Sequence, residues 1–256
     1  MRRIVGIIAV AAVALVGSAA PAAAVLYGQP DDNAHPYVGV VRFFDEDGTY
    51  LWRCSGTLIS PTVFLTAGHC TDGTAAAEVW FSETAPSTAE VLSGDYEHGV
   101  TGTTYTYPGF DFETSLDTGD VGIVVLDQPV ELSRYGDLPM AGEVDTLGKH
   151  QLLTIVGYGI QDVRPAQVAD VIRLTATVKL VNDTSGYSGG FNLHLSSNNG
   201  VPHRGGLCFG DSGGPVLLGD TVLAVNSFVL NGNCAGSGYS FRIDRPEILE
   251  WIKSFL

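Results

Sequence analysis

Between positions 205 and 215 the chain reads Gly-Gly-Leu-Cys-Phe-Gly-Asp-Ser-Gly-Gly-Pro, with glycine at five of eleven positions. Glycines on both sides of Ser212 let the main chain bend tightly and let another molecule approach closely. The remaining sequence supplies short strands to hold this run. Apolar runs are brief, alternation is of period two, and 32 glycines and 12 prolines punctuate them. That pattern predicts an all-β protein. A length of 256 residues is ample for a sizeable core in one or two domains.

A serine hydroxyl is a poor nucleophile unless a base and a shaped backbone activate it. The N–H groups of Gly210 and Ser212 can converge on one point, as a developing oxyanion requires. The ordinary alternative is a glycine-rich turn carrying a solvent-facing serine. Two upstream motifs weigh against it. Leu65-Thr66-Ala67-Gly68-His69-Cys70 offers an imidazole, and Thr118-Gly119-Asp120 offers a carboxylate at the start of the apolar run Val121-Gly122-Ile123-Val124-Val125-Leu126. Asp111 and Asp117 are rival carboxylates, but the run after Asp120 would bury that residue and let it hold an imidazole in one tautomer. The order His69, Asp120, Ser212 predicts an acyl-transfer triad.

At these three motifs the sequence resembles the trypsin/chymotrypsin-like serine proteases, over residues 25–256. The turn Gly157-Tyr158-Gly159 matches the family's Gly-aromatic-Gly turn, with tyrosine where tryptophan is common. The resemblance implies two antiparallel six-stranded β-barrels and a short C-terminal helix. Residues 25–140 would form the barrel carrying His69 and Asp120, and residues 141–256 the barrel carrying Ser212 and the helix. It also implies a secreted serine endopeptidase with a protein or peptide substrate, no cofactor, and Gly210 and Ser212 as the oxyanion hole. In this family a freed amino terminus folds inward and pairs with the Asp before the nucleophile; here that pair is Val25 and Asp211. Four cysteines allow three pairings, and Cys54–Cys70 with Cys208–Cys234 closes local loops, brackets the motifs and matches the family's pairing.

The specificity pocket can be partly read from the same resemblance. Trypsins carry Asp six positions before the nucleophile, where this chain has Gly206. Gly238 leaves room at a second wall position, while Val229 stands where chymotrypsin-like members have Gly and narrows the mouth. The expectation is a neutral pocket for small to medium apolar side chains, with Ser227-Phe228-Val229 as the edge that pairs with substrate backbone. A non-catalytic homologue that binds through the same double barrel, or a secreted esterase using the same acyl chemistry, are the alternative readings.

Composition narrows the partners. A net charge of −15, from 13 basic and 28 acidic residues, argues against nucleic acid and anionic membrane surfaces. Residues 1–24 read as a secretory signal: Arg2 and Arg3, an apolar stretch, then Ala22-Ala23-Ala24 as a cleavage site. Cleavage there would leave Val25 as the mature end of an extracellular monomer with no membrane attachment. Disulfides suit that compartment. Asp72, Glu78 and Glu83 show no ligand spacing, so no metal is expected. Asn182-Asp183-Thr184 is a glycosylation sequon. His194 and His203 read as surface residues, residues 182–203 as loop-rich, and Asp244-Arg245-Pro246-Glu247 as a capped helix start.

Overall fold

Alternating side chains close the strands of this chain into two barrels. A computed structural model describes residues 25–163, 167–181, 186–197 and 205–256. The leader, the Asn182 sequon and His203 lie outside these residues. In the first barrel β2 (Val38–Phe44), β3 (Tyr50–Ser60), β4 (Val63–Thr66), β5 (Ala76–Trp80), β6 (Val100–Thr106) and β7 (Gly122–Leu126) close in the order β2-β3-β4-β7-β6-β5. In the second, β8 (Leu152–Gly157), β9 (Leu174–Val181), β10 (Asn192–Ser197), β11 (Pro215–Leu218), β12 (Thr221–Val229) and β13 (Gly236–Arg242) run in the order β9-β10-β13-β12-β11-β8. Pairing of β8 with β9 closes the ring. Every pairing between these strands is antiparallel. Closure leaves little open sheet edge among the described residues, and open edges are otherwise sites of aggregation.

Strand β9 shows why the pattern works: Leu174, Ala176, Val178 and Leu180 are buried while the residues between them are half-exposed. The two ends of the chain cross between barrels. The two-residue strand β1 (Gln29–Pro30) pairs with β9 of the second barrel. The C-terminal helix α3 (Pro246–Lys253) packs on the first barrel, with Trp251 against Tyr107 and Phe255 against Tyr105.

Two local expectations are corrected. The span 182–203, read as loop-rich, contains β10, whose short polar sequence Asn-Leu-His-Leu-Ser-Ser hides its two inward leucines, Leu193 and Leu195. Between β5 and β6 lies a short helix α2 (Thr88–Ser93) with a Ser87/Glu90 capping box. Finally, Asp244 does not cap α3. Arg245 occupies the cap position, and Pro246 sets the first turn without a side-chain cap. The Asp244 carboxylate is instead buried and binds Arg242 and the N–H of Val144.

A fully buried arginine joins the barrels. Arg173 pairs through Nε with Asp31 at 3.0 Å and donates to the carbonyls of Val38 and Phe81 at 3.0 and 2.9 Å. It also reaches Asn33 at 2.7 Å. Asp31 in turn accepts from His35. Because a buried charge stripped of its partner typically costs about 3–5 kcal/mol, this pair holds segment 31–35 at a fixed place between the barrels. The disulfides are Cys54–Cys70 and Cys208–Cys234. Among the described residues no helix is long and apolar enough to cross a membrane.

Candidate active site

Ser55 of β3 ties the nucleophile loop of the second barrel to the first. Its N–H donates to the Ser212 carbonyl at 2.8 Å, and its hydroxyl donates to the Gly210 carbonyl at 2.8 Å while accepting from Tyr158 N–H at 2.9 Å. Gly213 has φ of +78°, and a Cβ there would run into the Thr66 hydroxyl and the Ser55 carbonyl. Only glycine lets the loop sit this close to the first barrel. The N–H groups of Gly213 and Gly214 are spent on Asn226 and Asp211. Those of Gly210 and Ser212 donate to no acceptor among the described residues, so two donors stay free beside the hydroxyl.

His69 stands on the single-turn helix α1 (Gly68–Thr71) that follows β4, and Asp120 stands two residues before the start of β7, the neighbour of β4. This pairing brings residues 51 apart in sequence into contact. His69 Nδ1 lies 2.9 and 3.1 Å from the two Asp120 oxygens, and the His69 N–H donates to Asp120 at 2.8 Å. The Ser227 hydroxyl also donates to Asp120. Asp120 is fully buried, with every donor aimed at its ionised form. The rival carboxylates are used elsewhere. Asp117 pairs with Arg245 at 2.5 Å, and Asp111 accepts the N–H groups of Glu113 and Thr114 in a turn.

Burial opposes charge on both partners, but their attraction wins. Burial would depress the His69 pKa, yet the Asp120 charge and hydrogen bond leave it raised above 6.5. Burial would likewise raise Asp120, but the His69 charge, its hydrogen bond and the Ser227 hydroxyl hold it below the usual carboxylate value. His69 and Ser212 line the same cavity of about 220 Å³. Among the described residues no hydrogen bond joins them; Nε2 of His69 lies 3.7 Å from Cys70 Sγ. Such bonds are often long in empty sites and tighten with substrate. The neighbouring Cys54 and Cys70 sulfurs are joined to each other, so they offer His69 no free thiolate to share a metal.

Of the expected pocket residues, Ser227, Phe228 and Val229 line the cavity with Ser212. Gly206 exchanges both backbone hydrogen bonds with Leu26, each 3.0 Å, and Gly238 packs on Leu207, where a Cβ would come within 2.6 Å of Cδ1. Val25 is buried with φ of +57°. Asp211 is buried and accepts from Gly159 and Cys208 N–H groups at 2.9 and 3.0 Å. Burial pushes its pKa up to about 7, against those two bonds and the charge of Arg53.

Sequence reasoning missed Leu207, Phe209 and Asn226 in the cavity wall, and Phe112, whose ring lies 5.7 Å from His69. Asn226 carried a readable signal: it is the first polar residue after the apolar run Val222-Leu223-Ala224-Val225. β12 pairs with β11 only as far as Val225, so residues 227–229 keep one backbone edge unpaired by a strand.

Two closed antiparallel barrels, with an imidazole–carboxylate pair on one and a glycine-flanked serine on the other, define a class of acyl-transfer enzymes. Comparison with known proteins agrees. A family model described as Trypsin matches residues 28–252. The chain is 26% identical to a trypsin of Saccharopolyspora erythraea over 219 residues, covering 83% of this chain and 89% of the relative. It is 26% identical to brachyurin of Leptuca pugilator over 230 residues, covering 87% and 93%. The HL collagenase structure superimposes with a TM-score of 0.69 at 21% identity, covering 89% of this chain and 96% of that one. Human heparin binding protein does so with 0.65 at 18%, covering 90% and 95%; these two likenesses show the fold alone. The chain belongs to the trypsin family of serine proteases. Its class is that of serine-type endopeptidases, hydrolases acting on protein or peptide substrates.

Proposed function

We propose that Ser212, His69 and Asp120 act as the triad of a secreted endopeptidase whose pocket takes an uncharged side chain of small to medium size. The observation that carries this reading is the buried Asp120 carboxylate on His69 Nδ1, in a cavity shared with Ser212. His69 removes the hydroxyl proton as Oγ attacks the peptide carbonyl, and the Gly210 and Ser212 N–H groups bind the oxyanion. Protonated His69 then gives its proton to the leaving amine, and water repeats the sequence on the acyl-enzyme. The open edge at residues 227–229 suits a substrate strand. Leu207, Phe209, Phe228 and Val229 supply an apolar lining, and no Lys or Arg among the described residues joins it.

A pH profile tests the assignment of the base. Only neutral His69 can accept the proton, and the raised pKa keeps the ring protonated to higher pH than a free imidazole. Activity is therefore lost as pH falls, with the midpoint of the acid limb of kcat/KM above 6.5. Asp120, with its lowered pKa, stays ionised throughout that limb. A midpoint below 6.5 contradicts the pairing.

The Val25–Asp211 switch is part of the same proposal. Burial without a bonded cation holds the Asp211 pKa near 7, and an ammonium at Val25 would stabilise its ionised form. Cleavage after Ala24 by the export machinery would create that ammonium directly, with no separate activation step. Leu26, paired with Gly206, places the new end beside the pocket wall. N-terminal sequencing of exported, active protein returns Val25 as its first residue; any other start removes the proposal.

The alternative readings find less support. A binding protein has no need of two free N–H groups beside a serine. Gly210-Asp211-Ser212-Gly213-Gly214 formally fits the Gly-x-Ser-x-Gly pattern of esterases. In those enzymes the serine tops a strand-to-helix turn and precedes its acid and histidine in sequence. Here it sits in a loop before β11 and follows both.

A further inference from the structure

One buried polar group in the cavity wall has hydrogen-bonding capacity that the proposed chemistry does not use. Asn226 is 1% exposed and lines the cavity beside Ser212. Its backbone is locked to the nucleophile loop, donating to Gly214 at 2.8 Å and accepting from Gly213 at 2.7 Å. Its Oδ1 accepts from the buried Ser240 hydroxyl at 3.1 Å, while Nδ2 has no hydrogen-bond partner among the described residues. Leaving such a group unpaired is costly, about 1–3 kcal/mol when buried, and native proteins keep few of them.

The other polar groups of the wall are already engaged. The Ser227 hydroxyl is given to Asp120, and the two Asp211 oxygens accept from Gly159 and Cys208. Cys208 is in a disulfide, and Leu207, Phe209, Phe228 and Val229 have no polar side-chain atoms. Apart from the reacting Ser212 and His69, and from Asp211, which the proposed Val25 ammonium would engage, the Asn226 amide is the side-chain group among the described residues of this wall with a bond left to make.

We infer that Asn226 sets primary specificity, and that the enzyme cleaves after a neutral carboxamide side chain, glutamine above all, in preference to apolar side chains of the same length. The inference rests on the endopeptidase reading above and names its substrate class. A side chain entering the cavity expels solvent. The Asn226 amide is already buried and unpaired in the empty cavity; an apolar side chain leaves it so, whereas a carboxamide gives it a partner. The match survives either orientation of the Asn226 amide. Ser240 can donate to Oδ1 or accept from Nδ2, so the free half is NH2 in one orientation and C=O in the other. A carboxamide carries both complements. A carboxylate would bring its charge beside Asp211 in a wall that has no Lys or Arg among its described residues.

The test is a matched peptide series differing only in the residue before the scissile bond: Gln, its near-isostere Met, Leu and Glu. Wild-type enzyme is expected to show kcat/KM for Gln about tenfold above Met, the effect of one hydrogen bond otherwise left unmade. In Asn226→Val the Gln-to-Met ratio falls to about one, which separates a specificity role from loss of folding, since a merely structural defect lowers both substrates together. A wild-type ratio of about twofold or less, or a Gln preference retained in N226V, overturns the Asn226 role. If N226V does not fold, the wild-type series decides alone. Ser212 labelling by an organophosphonate, run in parallel, separates the two readings. Labelling without Gln preference sinks only this inference, and absence of both labelling and cleavage sinks the endopeptidase reading with it.

Discussion

Ser212→Ala is expected to lower kcat/KM for any cleaved peptide by about a million-fold and to abolish organophosphonate labelling. Methyl in place of hydroxyl removes the atom that forms the acyl-enzyme, while the Gly210 and Ser212 N–H donors and the open strand edge remain. What survives is the small acceleration those groups give to attack by water. The thermal midpoint should stay close to wild type, because the Ser212 side chain makes no hydrogen bond among the described residues and the loop is held by backbone contacts to Ser55 and Asn226. Peptide cleavage that persists in this variant would assign the chemistry to another residue.

Asp120→Asn is expected to cost about four orders of magnitude in kcat, the size associated with the wrong imidazole tautomer in a Ser-His-Asp template. The geometry gives the reason. Asp120 accepts from three donors, the His69 N–H, the His69 ring and the Ser227 hydroxyl. A carboxamide can accept at one oxygen only and presents its NH2 to the rest. The imidazole then accepts at Nδ1 and carries its proton on Nε2, where it cannot take one from Ser212. Peptide kinetics at a pH above the acid limb measure the loss. A drop below about tenfold would mean that Asp120 does not orient the base, leaving Asp117 or Asp111 to be tried in turn.

The choice of Asp120 over those rivals shows where sequence reasoning has purchase. Period-two alternation is a local signal of burial, and the apolar run 121–126 marks a core strand whose preceding residue must be enclosed. Asp117 and Asp111 precede no such run, and they are found on Arg245 and in a turn. The same signal is weak where strands are short and polar. β10 was hidden because its burial comes from pairing with β9 and β13, not from its own composition. Asp244 misled for a related reason: its motif suits a helix cap, but Arg242, two residues before it, and Val144, brought near by the fold, take its carboxylate instead.

By itself the sequence determined the fold class and the cysteine pairs and singled out the three groups proposed as reactive, because each is written in patterns of alternation, glycine and motif order. Only the tertiary structure decided how the pocket is walled. Leu207 packs against Gly238, Gly206 is spent on Leu26, and Asn226 is left with an unpaired amide. Those facts depend on which buried polar atoms find partners across strands far apart in the chain. Hydrogen-bond satisfaction is a property of the assembled core, and no local pattern of residues encodes it.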